Sequence, residues 1–196
     1  MTESDFLENF RQQQLKEIFM HSSDLSLAGY ASIIAAALSI PLLFFSFYTE
    51  FAGLKVASVV LNILSLILYG YLTITLINLL TEKGFDAANN LLWASILMNV
   101  FAVAMTTFTD SSSSGWLSIF PILIMGILMI LIGVKLQNCS DDLNGHLKTF
   151  SYTWIGSGFC LVTVFLIPIA VLVMMFMNII QGMIFLKEAD KRRIVF

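Results

Sequence analysis

The sequence predicts an all-α, polytopic integral membrane protein whose six transmembrane helices form three tandem helical hairpins. Three observations predict this fold class: an apolar composition, long uncharged windows, and an uneven distribution of basic residues across the predicted membrane. Of 196 residues, 58% are hydrophobic and 12% are charged, whereas soluble proteins have roughly 45–50% apolar and about 25% charged residues. The lipid bilayer is therefore the predicted solvent and the first predicted partner of the chain.

Uncharged windows longer than the roughly 18 residues that indicate a membrane-spanning helix occur along the whole chain. They are residues 25–49, 56–81, 87–109, 111–134 and 149–186. The last window has 38 residues, which at about 1.5 Å per residue is roughly twice the thickness of a hydrocarbon core. It is either one overlong helix, which gives five spans, or two short helices with Pro168 in the turn between them, which gives six.

An internal repeat favours the six-span alternative. Gly70, Gly126 and Gly182 recur at a spacing of 56 residues in similar apolar settings, and Asp86 and Asp142 share the same offset. A fixed period of this length indicates a repeated supersecondary unit, which here is a helical hairpin. The repeat predicts one transmembrane domain over residues 25–186, with hairpins at about 25–80, 91–134 and 150–186.

The distribution of basic residues favours six spans independently. Six spans put nine Lys and Arg residues on the side of both termini and leave only Lys55 on the other side, whereas five spans divide them equally. Because basic residues near span ends are retained in the cytoplasm, we expect a multi-pass cell-membrane protein with both termini cytoplasmic. Residues 1–24 form a cytoplasmic segment, either an interfacial helix or a solvated one, and residues 187–196 form a basic cytoplasmic tail.

The residue types in the predicted spans exclude several kinds of chemistry. Ion-coupled transport and voltage sensing require ionisable side chains at membrane depth, and the predicted spans contain no Asp, Glu, Lys, Arg or His. A metal site could be drawn from Cys139, Asp142 and His146, but acidic residues here are explained more simply as the start of a helix. We therefore expect no catalytic or metal site and no cofactor, and the absence of a basic run with aromatics predicts no nucleic-acid partner.

Uncharged polar residues recur at three- and four-residue steps in the spans, so that those of one helix share a face. Such faces either hydrogen-bond to neighbouring helices or line a cavity for a neutral or amphipathic molecule. The candidate residues are Asn62, Ser65, Tyr69 and Thr73 in the second helix, Ser95, Asn99 and Thr106 in the third, and Asn178 and Gln181 in the sixth.

Two functions from different classes are compatible with these features. The first is a non-catalytic membrane protein that acts by association, as a subunit or stabilising factor of a larger complex or as a homo-oligomer. The alternative is a channel, transporter or binding protein for a lipid or a small neutral solute. A cavity lined by the polar faces would favour the alternative, because helix packing alone does not require them to converge.

Overall fold

The protein is described by a computed structural model for residues 22–47, 52–108, 115–139, 143, 145–163 and 166–195. These residues form six α-helices and no strand. The predicted cytoplasmic segment before residue 22 lies outside the described residues. The helices are α1 (Ser22–Phe47), α2 (Ala52–Glu82), α3 (Asn89–Phe108), α4 (Gly115–Gln137), α5 (Leu147–Val162) and α6 (Ile167–Val195).

The long apolar stretch at residues 149–186 is divided between two helices, which confirms six helices over the five-span alternative. α5 ends at Val162 and α6 begins at Ile167. Pro168 lies in the first helical turn of α6 and not, as predicted, in the connection between α5 and α6. At that position its missing N–H removes no helical hydrogen bond. α6 then continues to Val195, so the segment expected as a basic tail forms the last turns of this helix.

The helices have the length and composition of a polytopic membrane protein. α1, α2, α4 and α6 each contain an apolar stretch long enough to cross a bilayer, and α3 contains a shorter one. Large apolar side chains are exposed on the outer surface. In water such a surface would promote aggregation, whereas in a bilayer it contacts lipid chains. Trp93 and Tyr152 lie near the ends of α3 and α5 and are 48% and 65% exposed, as in the aromatic belts of membrane interfaces.

The six helices form a closed ring. Each helix packs against its neighbours in the chain, and the ring closes where α1 packs against α6. The two most extensive contacts, between α1 and α6 and between α4 and α5, are made at glycines. A Cβ atom on Gly29 would lie 2.6 Å from Cγ of Leu186, and one on Gly158 would lie 2.5 Å from the carbonyl oxygen of Gly126. Small residues therefore set the closest helix approaches.

The three glycines of the predicted repeat lie in α2, α4 and α6, but their surroundings differ. Gly126 packs against Gly158 of α5, and Gly182 packs against Gly29 of α1. A Cβ atom on Gly70 would meet nothing within 4 Å. The glycines therefore do not share one packing role, and the hairpin repeat stays a prediction.

Most of the apolar core lies toward one end of the ring, although the cluster also includes Leu161 and Ala170 at the opposite ends of α5 and α6. We call this end the loop end: it carries the loops after α2 and after α4, the beginning of α1 and the last turns of α6. Fully buried side chains from all six helices and from the loop after α4 form one contiguous cluster there, including Leu25, Leu80, Leu92, Leu136, Leu143, Phe150 and Phe185. At the opposite end, residues 56–71 of α2 and 96–105 of α3 include no buried residue.

Ion pairs close the loop end between α2 and α6. Arg192 of α6 donates a hydrogen bond to the Glu82 carboxylate, and the two side chains are 16% and 6% exposed. Nζ of Lys83 lies 3.0 Å from Oε1 of Glu188, whose side chain is 6% exposed. These charges lie just beyond the predicted spans. Because the two carboxylates are buried from solvent, they need cationic partners.

Candidate functional site

A cavity of about 310 Å³ lies inside the ring, and all six helices contribute to its wall. Cavities that bind small molecules have volumes of about 300–1,000 Å³, and this one has room for on the order of ten water molecules. Its lining residues are Ala35, Ser39, Asn62, Ser65, Leu66, Tyr69, Leu72, Thr73, Asn99, Val103, Met125, Met129, Trp154, Met174, Met177, Asn178 and Gln181.

One wall of the cavity is polar, and α2 supplies most of it. Asn62, Ser65, Tyr69 and Thr73 all line the cavity, because their three- and four-residue spacing puts them on one face of the helix. Asn99 extends this wall onto the adjacent helix α3. The candidate stripes of these two helices therefore meet at one site.

The remaining predicted residues are placed differently. Asn178 and Gln181 line the cavity from α6, so seven of the nine candidates lie on its wall. Ser95 is fully buried behind the wall and accepts a hydrogen bond of 2.8 Å from the Tyr69 hydroxyl. The side chain of Thr106 lies outside the described residues.

Hydrogen bonds hold the polar wall in place. The Ser95 hydroxyl, which accepts from Tyr69, itself donates to the Leu92 carbonyl oxygen at 2.7 Å. This chain fixes the Tyr69 ring against α3, and the Tyr69 hydroxyl keeps an oxygen lone pair as an acceptor. Nε2 of Gln181 donates to the carbonyl oxygen of Leu72 at 3.3 Å, which joins α6 to α2.

The wall on the other side of the ring is apolar and rich in methionine. Met125 and Met129 of α4, Trp154 of α5, and Met174 and Met177 of α6 line it. Methionine is flexible and polarisable, so it adapts to irregular shapes. Sequence reasoning did not find this wall. The three- and four-residue spacing of these methionines was a signal, but the same spacing is usual in a core or on a lipid-facing surface.

The cavity is more enclosed toward the loop end. Thr73, Met129, Trp154, Met177 and Gln181 are each at most 4% exposed, whereas lining residues farther from the loop end, such as Asn62 and Ser65, are half-buried. Below this floor lies the contiguous apolar core. The cavity is therefore closed toward the loop end by packed side chains.

Two buried polar atoms on α5 have no hydrogen-bond partner among the described residues. They are Nε1 of Trp154 and Oγ of Ser157, and the two residues are one helical turn apart. Buried indole N–H groups usually have a partner. Trp154 lines the cavity and Ser157 does not, so only the indole N–H belongs to the site.

The chemistry of the wall is that of neutral recognition. Among the described residues, none with a carboxylate, ammonium, guanidinium or imidazole group lines the cavity, so this wall offers hydrogen bonds and dispersion contacts. Within the described part of the chain no three His, Cys, Asp or Glu side chains are grouped to hold a metal. Of the metal ligands weighed from the sequence, Asp142 lies outside the described residues, and Nε2 of His146 lies 2.6 Å from Nζ of Lys187.

Comparison with known proteins finds no relative. No family model matches the chain, and neither a curated protein nor a solved structure resembles it significantly. The function must therefore be argued from the cavity and the helices around it.

Proposed function

We propose that this protein binds a small uncharged molecule in the cavity inside its helix ring. The observation that carries the proposal is the convergence of seven uncharged polar side chains, from α2, α3 and α6, on one cavity of about 310 Å³. Helix packing alone would direct these side chains into helix–helix contacts. The combination of an apolar wall with a few convergent polar groups is typical of small-molecule sites.

A binding site agrees better with this cavity than a continuous channel does. A pore needs a path through the protein, and the packed floor at Thr73, Met129 and Trp154 closes the cavity on the loop-end side. Recognition of an ion would also require charged or multiple carbonyl ligands at the wall. A neutral molecule held within the membrane needs neither feature.

Native mass spectrometry of the protein released gently from its own membrane tests the proposal. We expect a protein ion that carries one additional small molecule, and we expect the double variant Asn62→Leu/Asn99→Leu to lose it. Tyr152→Leu is the matched control, because Tyr152 is 65% exposed on the outer surface and is no part of the cavity wall. Wild-type protein without a bound molecule, or variants that keep it, would contradict the proposal.

Association with another polypeptide is the second candidate function. It is supported by the weak burial of α2 and α3 away from the loop end, where residues 56–71 and 96–105 include no buried residue. A partner helix or a second copy of this chain could cover that surface, although lipid also satisfies it. The same mass spectra separate the two functions, because a reproducible second polypeptide or a homo-oligomer without a small molecule would favour association.

We also propose that the protein lies in a cell membrane with the loop end and both termini on the cytoplasmic side. This orientation is supported by the nine basic residues on that side against Lys55 on the other. Labelling of single cysteines in intact cells tests it: a cysteine at Ser113 should react with an impermeant reagent, and a cysteine placed after Phe196 should be protected. The reverse labelling would contradict this orientation.

A further inference from the structure

The polar wall of the cavity extends along the helix axis rather than occupying one end of the site. From Asn62 to Thr73 it follows α2 through residues 62, 65, 69 and 73, a distance of about 16 Å at about 1.5 Å per residue. Asn99 lies beside it on α3. Hydrogen-bonding groups are therefore available at about one-turn intervals along the length of the cavity.

The facing wall has the opposite character where α4 and α5 reach the cavity. By the order of the ring, α5 lies across from α2, and α4 lies across from α1. These two helices contribute Met125, Met129 and Trp154 to the cavity. The cavity thus has one polar side and one apolar side, with α6 contributing both kinds of residue.

A molecule with all its polar groups at one end does not match this arrangement. Its apolar chain would lie against Asn62, Ser65 and Tyr69, and it would displace water from their side chains without replacing the hydrogen bonds. A molecule with polar groups along one edge would satisfy the polar wall at several heights. Its other edge would lie against thioether and indole groups.

We propose that the occupant is an uncharged, facially amphipathic molecule, whose hydrogen-bonding groups are distributed along one edge while the opposite edge is apolar. This inference rests on the proposed function and specifies the class of molecule bound. It assigns selectivity for the positions of the polar groups to the α2 and α3 wall. The methionine wall then tolerates variation in the shape of the apolar edge.

Two constitutional isomers test the inference, because they have the same formula and no charge. Nonane-1,5,9-triol carries hydroxyls at intervals close to one helical turn of about 5.4 Å, whereas nonane-1,2,3-triol carries all three at one end. Binding of each is measured by calorimetry on the full chain in lipid nanodiscs, with empty nanodiscs as the blank. We expect the 1,5,9-isomer to bind about tenfold more tightly or better, since two more hydrogen bonds reach the wall.

Variants test whether the polar wall of α2 and α3 causes the preference for the 1,5,9-isomer. Asn62→Leu should bring the two isomers to within about twofold, while Tyr152→Leu on the outer surface should keep the wild-type ratio. Equal binding of both isomers by the wild type, or a preference for the 1,2,3-isomer, would overturn this inference and leave the proposed binding function standing. Binding of neither isomer would also overturn this inference, while the mass spectra of the protein from its own membrane decide the proposed function separately.

Discussion

The two halves of this helix ring satisfy their polar groups in opposite ways. At the loop end, buried carboxylates of Glu82 and Glu188 pair with Arg192 and Lys83, and apolar side chains fill the remaining space. In the other half, by contrast, uncharged side chains such as Asn62 and Asn99 line the cavity. The loop end is thus closed by ion pairs and packed side chains, while the cavity half presents uncharged polar side chains to the cavity.

This difference implies that substitutions in the two halves have different consequences. Side chains at the loop end and at the glycine contacts should control stability, because each has a buried partner. Side chains on the cavity wall should control binding with little effect on stability. The following four predictions test this division, from the largest expected effect on stability to the smallest.

Removal of one partner from the buried ion pair at the loop end should have the largest effect. Arg192→Met removes the guanidinium group that donates to the Glu82 carboxylate, which is 6% exposed, and should lower the free energy of unfolding by about 3 kcal/mol. The neighbouring Arg193→Met is the control, because Arg193 is 60% exposed and makes only a 3.9 Å pair with Asp190 and a hydrogen bond of 3.1 Å to the Ser26 hydroxyl among the described residues. That variant should cost under about 1 kcal/mol. Unfolding in detergent measures the loss of stability in both variants. Equal losses would contradict a stabilising role for the Arg192–Glu82 pair.

The glycine contact between α4 and α5 should come next. A methyl group on Gly158 would lie 2.5 Å from the backbone oxygen of Gly126, whereas one on Gly156 meets only Val173 Cγ1 at 3.9 Å. Gly158→Ala should therefore cost about 2 kcal/mol because the helices must separate. Gly156→Ala should be neutral or slightly stabilising, since alanine favours the helix. Thermal unfolding compares the stabilities of the two variants. A Gly158→Ala protein as stable as the wild type would contradict the close approach of α4 and α5.

Substitution of two buried serines should change stability by less than substitution of Gly158. Both Ser32 and Ser157 are fully buried, but the Ser32 hydroxyl donates to the Asn178 carbonyl oxygen at 2.7 Å, and Oγ of Ser157 has no partner among the described residues. Ser32→Ala should cost about 1 kcal/mol, while Ser157→Ala should cost nothing or stabilise the protein. Chemical unfolding of both proteins gives the comparison. A larger loss in Ser157→Ala would mean that its hydroxyl has a partner after all.

The cavity wall should show the smallest effect on stability. Asn62 is half-buried and lines the cavity, so Asn62→Leu should change the free energy of unfolding by no more than about 0.5 kcal/mol. The same substitution should reduce retention of the bound molecule. Thermal unfolding and mass spectrometry on one preparation measure the two effects together. A strongly destabilised protein would assign Asn62 to helix packing instead.

The sequence alone predicted the class of fold and much of the polar wall. Apolar length and charge distribution predicted six helices, and helical periodicity placed Asn62, Ser65, Tyr69 and Thr73 on one face. These are local properties, which depend on residues within a few turns of each other. The convergence of faces from different helices depends on how each helix is rotated in the ring, and periodicity within one helix does not determine that rotation.

The features that were missed connect distant parts of the chain. Arg192 lies 110 residues from Glu82, and Ser32 lies 146 residues from Asn178. Nothing in the local pattern pairs them, so the closure of the ring by α1 and α6 was not predicted. Likewise, the methionine wall has the composition of an ordinary lipid-facing surface, and only the fold turns Met125 and Met129 inward.

Cysteine reactivity tests most directly the central claim that one half of the ring contains a reachable cavity and the other is packed. In a background with Cys139 and Cys160 replaced by serine, Ser65→Cys places a thiol on the cavity wall, and Ser151→Cys places one in the buried contact between α4 and α5. We expect methyl methanethiosulfonate, a small uncharged reagent, to modify Ser65→Cys in the folded protein and to spare Ser151→Cys until denaturant is added. Equal reaction at both positions, or protection of both, would contradict the division of this protein into a packed half and a binding half.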